Sequence, residues 1–217
     1  MRSKLIGVII ISMLFFTGCT GKKEKLAIVS SNKVTVDNNI VFFVNIEQTK
    51  YKKPLTPDDD GFDMYKSRFY GEFALVSRNV SGEEIDRIAL NQFFENRDMG
   101  FIGEFKLGFQ DMNADGNLDI GIGEVATGEH AHSGEFQYVI FSIDNEGKLK
   151  NLPVEGGYFY TLKSNHSLWD FSLWERRTSR ICENGTVRAV VEKEDGHGYK
   201  EIKYVWDGNM FVVVDEQ

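Results

Sequence analysis

The sequence predicts a single antiparallel all-β domain of about ten strands with at most one short helix, and three observations carry that expectation. Apolar residues recur in short or alternating runs; the runs are rich in Val, Ile, Phe and Tyr; and the breaks between them hold Gly, Asn and Asp, which accept positive φ. Residues 25–30, 40–46, 68–76, 101–109, 119–125, 137–143, 158–162, 186–192, 199–206 and 211–214 satisfy the first two criteria.

The breaks justify the pairing. Asp144-Asn145-Glu146-Gly147, Glu183-Asn184-Gly185, the segment 194–198 and Asp207-Gly208-Asn209 are hairpin chemistry, so the last three strands read as a continuous meander. Residues 81–94 are the one stretch compatible with a helix: Ser81 and Glu84 resemble a capping box, and Ile85, Ile88, Ala89 and Phe93 fall near helical spacing. Residues 86–90 read equally well as a strand. No Pro-rich or Ser-rich linker and no internal repeat divides residues 26–217, which are therefore expected to form one domain.

Composition narrows the function classes. The chain of 217 residues is 41% hydrophobic with 3 Pro and 2 Cys, which excludes a disordered, collagenous or disulfide-scaffold protein. It carries 33 Asp plus Glu against 25 Lys plus Arg, a formal charge of −8, and a nucleic-acid partner is not expected.

Residues 1–18 read as an export signal. Arg2 and Lys4 precede the apolar run 5–16, which is shorter than the roughly 20 helical residues needed to cross a bilayer. Thr17-Gly18 immediately before Cys19 resembles the lipobox of bacterial lipoproteins. That resemblance implies cleavage before Cys19, lipidation of its thiol, and a protein held on the bacterial cell membrane facing outside the cytoplasm. Two acyl chains at about 0.8 kcal/mol per buried CH₂ hold such a protein durably. Residues 19–25 then form a polar tether in which Lys22, Lys23 and Lys25 suit anionic headgroups. Cys182 is left without an intramolecular partner and reads as a buried structural thiol.

The most specific signal in the remaining chain is Asp111-Met112-Asn113-Ala114-Asp115-Gly116-Asn117-Leu118-Asp119. Calcium takes six to eight oxygens, and a loop with oxygen-bearing side chains at positions 1, 3, 5 and 9, a backbone carbonyl at 7 and Gly at 6 wraps it. Asp111, Asn113, Asp115, the Asn117 carbonyl, Asp119 and Gly116 meet that spacing, while Leu118 is placed to return to the core. Ile122 stands where an EF-hand needs its bidentate Glu, and the flanks 105–109 and 119–122 read as strands. The stretch 105–125 resembles instead the calcium-binding β-hairpin loop of FG-GAP or VCBS-type repeats, the blades of integrin-α-like propellers. This implies a propeller-blade-like architecture, with a sandwich as the alternative, and a structural Ca²⁺ held by Asp111, Asn113, Asp115, Asn117 and Asp119. An Asx-rich turn holding no ion is the plainer reading of the same residues.

Weaker constellations remain. His130 and His132, with Glu129 or Glu135, have a spacing that would share a Zn²⁺ on a strand, but Gly128 and Gly134 bracket them as in an ordinary loop. The acidic run 56–61 reads as an exposed loop. Tyr158-Phe159-Tyr160 and the segment 169–174 read as core, with an exposed aromatic platform as the alternative. No nucleophile elbow, zinc-protease motif or phosphate-binding loop occurs. The expected function is a membrane-anchored, non-enzymatic surface module with an unidentified protein or cell-wall partner; the alternative is a cell-envelope hydrolase built on the His130 and His132 loop.

Overall fold

The computed structural model describes residues 26–36, 40–53, 69–101, 106–125, 135–162, 182–183, 185–193 and 197–216. They form antiparallel sheets throughout. The first sheet contains β1 (Ile28–Val36), β2 (Ile40–Tyr51), β3 (Phe69–Arg78), β4 (Glu84–Ala89) and β5 (Met99–Phe101). The second contains β6 (Leu118–Val125), β7 (Glu135–Ile143), β8 (Leu149–Leu152) and β9 (Phe159–Leu162). The third is the predicted meander, β11 (Thr186–Glu192), β12 (Tyr199–Trp206) and β13 (Phe211–Glu216), extended by the two residues of β10 (Cys182–Glu183).

The second sheet lies between the other two, and β7 shows why. Phe136, Tyr138 and Ile140 enter a core shared with Val187, Tyr204 and Phe211 of the third sheet, whereas Val139, Phe141 and Ile143 enter a core shared with Val44, Phe73 and Leu75 of the first. A strand buried on both faces loses polar alternation, which is how β7 reads in the sequence. Polar bonds tie the layers together: Ser77 Oγ donates to the Gly147 carbonyl at 2.6 Å, and the Leu149 N–H donates to Asp86 Oδ2 at 3.0 Å. Between the second and third sheets, Phe211 exchanges backbone bonds with Pro153 and Glu155 at 2.9 and 2.8 Å.

One open reading is decided in favour of a strand, and two expectations are corrected. The stretch 81–94 is β4 followed by a 3-10 turn at Asn91–Phe93, because the register beside β3 places Ile88 opposite Leu75 and buries it better than an isolated helix would. Of the expected strand 101–109, Phe101 belongs to β5 and residues 102–105 lie outside the described residues; residues 106–109 are irregular, and Gln110 then pairs with Asp119. The strand count exceeds ten because β4, β8 and β10 are too short or too polar to show a period.

One edge of β3 pairs first with β5 and then with β4, and the gap between them is filled by a side chain. Asn91 accepts from the Phe73 N–H at 2.7 Å and donates to the Gly71 carbonyl at 3.2 Å, so its amide substitutes for a missing strand peptide. Asn91→Leu leaves both groups buried and unpaired, and is expected to cost about 2–4 kcal/mol in chemical denaturation. A loss under about 0.5 kcal/mol would contradict this role.

Candidate functional site

The loop 111–118 projects where Gln110 and Asp119 close a two-residue ladder, with N···O distances of 3.1 and 2.8 Å. Ala114 at φ 58° and Gly116 at φ 90° turn the chain twice into the left-handed region, aiming successive N–H groups inward. The carboxylates meet them. Asp111 accepts from the Asp115 N–H at 3.1 Å and the Gly116 N–H at 3.0 Å, and Asp115 Oδ1 accepts from the Asn117 N–H at 2.8 Å. From the far end, Asp119 Oδ2 reaches back to the N–H groups of Met112 at 2.7 Å and Asn113 at 3.3 Å. Asn113 donates its amide to Asp115 Oδ2 at 2.9 Å.

The structure brings Asp111, Asn113, Asp115, Asn117 and Asp119 into one compact turn. It does so by binding their oxygens to the loop's own amides: among the described residues no three carboxylate, imidazole or thiol groups converge as a coordination set. Met112 is buried in the core shared with the third sheet, and Leu118 packs half-buried against the other core. The loop is seated on the β10–β11 turn, where a Cβ on Gly185 would lie 3.4 Å from the Asn113 carbonyl oxygen.

Asp119 is the unusual member. It is 0% exposed, and across the strand pair its side chain faces Ser142 on β7. Burial, opposed by hydrogen bonds from the Ser142 hydroxyl and the Met112 N–H and reinforced by the charge of Asp115, pushes its pKa up to about 6. Burial also raises the Asp115 carboxyl, but the Asn117 N–H and the Asn113 amide prevail and hold it below its ordinary value. Two acidic groups four residues apart are therefore driven in opposite directions. A fully buried carboxylate that feels the charge of Asp115 is a costly arrangement that a hard divalent ion would relieve. Asp111, Asn113, Asp115, Asn117 and Asp119 are the residues that would hold it.

Elsewhere, Phe159 is buried in the second core, and Tyr158 packs on the first core with its hydroxyl donating to the Phe93 carbonyl at 2.7 Å, so residues 158–159 are core as expected. His197 lies exposed in the turn before β12. Cys19, residues 56–61, His130, His132 and residues 169–174 lie outside the described residues, as does the side chain of Cys182.

Two polar features escaped the sequence reading. On the outer face of the first sheet Arg78 grips Glu47 at 2.9 Å through both Nε and Nη2, and Arg87 grips Glu84 at 2.9 and 2.6 Å. Burial raises the Glu47 carboxyl, but the Arg78 and Asn45 hydrogen bonds overcome it and keep the group ionised. Gln137 is the second: it is 1% exposed, and neither amide atom finds a partner. Neither carries a sequence signal, because cross-strand register alone assembles the first and isolates the second.

Fold and site define an antiparallel three-sheet β protein with an Asx-rich loop seated where the second sheet meets the third. No protein-family model matches the chain, and no curated protein or solved structure matches it.

Proposed function

We propose that this chain is a lipid-anchored surface lipoprotein whose β domain is a non-enzymatic binding module stiffened by one Ca²⁺ in the loop 111–119. The observation that carries the calcium reading is Asp119, a fully buried carboxylate inside a loop of calcium spacing. The anchor reading rests on the 1–19 segment and its likeness to a lipobox. Extracellular calcium modules bind at about 10⁻⁴–10⁻³ M, so outside a cell the ion would be a permanent part of the fold. Its role would be to hold the loop against the Gly185 turn and so fix the second sheet on the third.

Titration with Ca²⁺, monitored by the melting temperature and by terbium luminescence, tests this reading. At tenfold excess over Kd, binding to the folded state stabilises by about 1.4 kcal/mol, a rise of about 3–6 °C for a domain this size. Asp115→Ala is expected to abolish both the rise and the terbium signal. A variant that responds like the parent would remove the calcium claim.

A further inference from the structure

We propose that the outer edge of β1 takes an extended acidic peptide of a partner protein as an added strand; this names the partner class for the binding-module reading above and rests on it. The register decides which peptide groups face outward. The Gln48 N–H donates to the Ala27 carbonyl at 2.8 Å, so Gln48, Ile46, Val44 and Phe42 of β2 turn their peptide groups toward β1. Their partners Ser30, Asn32 and Val34 turn toward β2. Ser31, Lys33 and Thr35 therefore present their N–H and C=O groups to the outside. All three residues are exposed, and among the described residues no bond reaches those groups.

The other longer edge strands are each met by a side chain or a loop. On β4 the Ile85 carbonyl accepts from Lys148 Nζ at 3.2 Å, and on β8 the Leu149 N–H donates to Asp86 at 3.0 Å. Gln110 closes the start of β6, and β13 is met by Pro153 and Glu155, whose carboxylate also accepts from the Val213 N–H at 2.6 Å. β5, β9 and β10 have only three, four and two residues. Folded proteins block exposed sheet edges because an open one pairs with other chains. A nine-residue edge left open where the others are blocked is an acceptor for a further strand.

Charge selects an acidic occupant. Lys33 stands in the middle of this edge, and the bond from the Leu107 N–H to Asn32 Oδ1 at 3.0 Å sets Lys106 beside the same strand. Both lysines are exposed and neither has an ion-pair partner among the described residues, in a chain whose formal charge is −8. Residues 26–36 contain no carboxylate. Glu47 of β2 is held by Arg78 and Arg87, and Asp37, past the end of β1, lies outside the described residues. A carboxylate on an added strand, directly opposite Lys33, makes the favourable cross-strand pair. A second copy of the chain, pairing β1 antiparallel to β1 with like faces together, sets only Ser31, Lys33 or Thr35 there and leaves the charge unmatched.

Amide hydrogen exchange resolved by residue, with fluorescence anisotropy for affinity, tests the proposal on the full chain in a nonionic detergent. The probes are a short peptide alternating Val with Glu, its counterpart alternating Val with Lys, and the acidic peptide N-methylated at alternate amides. In the free chain Ser31, Lys33 and Thr35 are expected to exchange fast while Ser30, Asn32 and Val34 are protected. Excess acidic peptide should slow the first three at least about tenfold, and the other two probes should not. Lys33→Glu is expected to weaken the acidic peptide about fivefold and to admit the lysine peptide, at an unchanged melting temperature. Protection of the three amides in the free chain, no protection with the acidic peptide, or equal affinity of parent and variant for it overturns the proposal. Protection that grows with protein concentration in the absence of peptide assigns the edge to a second copy and also overturns it. The mass of the recovered peptide separates the two readings: an intact, unbound peptide refutes the edge alone, whereas a cleaved one refutes the non-enzymatic reading and leaves the three amides to decide the edge.

Discussion

In a chelator, the protein is expected to lose stability as the pH rises from about 4 to about 6, and saturating Ca²⁺ is expected to remove that loss. Asp119 is the source. Its ordinary pKa is 3.8 and burial lifts it to about 6 in the folded chain, so between those values the folded state holds a proton that the unfolded state has released. Stability then falls with pH, because the unfolded chain binds fewer protons; the penalty is absent below about pH 4 and complete above about pH 6. Two units at 1.36 kcal/mol each make the full effect about 3 kcal/mol. Glu47, Glu84, Asp115 and Asp207 are shifted the other way. They gain stability as pH rises, but only below their ordinary values, which leaves the upper half of the window to Asp119. Calcium held in the proposed site would bind the ionised carboxylate and compensate the buried charge, flattening the slope. Denaturation midpoints across pH for the parent and Asp119→Asn, each with chelator and with Ca²⁺, provide the check. Parallel curves in chelator would show that Asp119 does not titrate as described.

Gly71→Ala is expected to cost at least about 3 kcal/mol, with no dependence on calcium. Gly71 lies on β3 between β2 and β5, at φ 139°, a region that L side chains rarely adopt. A Cβ there would stand 2.0 Å from the backbone oxygen of Lys50, and a strand carbonyl cannot move aside without breaking the ladder around the β2 irregularity at Gln48 and Lys50. Strain and steric overlap add, which places the variant in the tail of measured single-substitution effects. Thermal or denaturant unfolding that leaves the variant within about 1 kcal/mol of the parent would refute the argument. The contrast with Gly116→Ala is informative: nothing lies within 4 Å of a Cβ at Gly116, so only its φ of 90° opposes the change.

Much of this fold was legible because β-structure writes itself locally. β2, β3, β6, β7, β11, β12 and β13 each carry an apolar run bounded by turn residues, and Gly147, Gly185 and Gly208 occupy positive φ at turns the sequence marks. The turn at 111–119 was legible for the same reason, since its wrapping depends on side chains two apart and on Gly116. What did not show is whatever depends on a partner distant in sequence. Nothing within residues 84–89 says that β3 lies beside them. Asn91 resembles any helix-cap or turn asparagine until β4 and β5 leave a gap along β3 for its amide.

The sequence by itself determined the strand-forming runs, the turns, the oxygen set of the loop, and an N-terminal segment whose likeness to a lipobox places Cys19 at its border; each depends on residues within about ten positions of one another. Only the tertiary structure decided that the second sheet lies between the other two, that the loop sits on the Gly185 turn, and that Asp119 is sealed from water while Asp115 is not. The physical reason is that burial is a property of the assembled sheets. Asp115 and Asp119 are the same residue type four positions apart, and the core beneath one of them separates their chemistry.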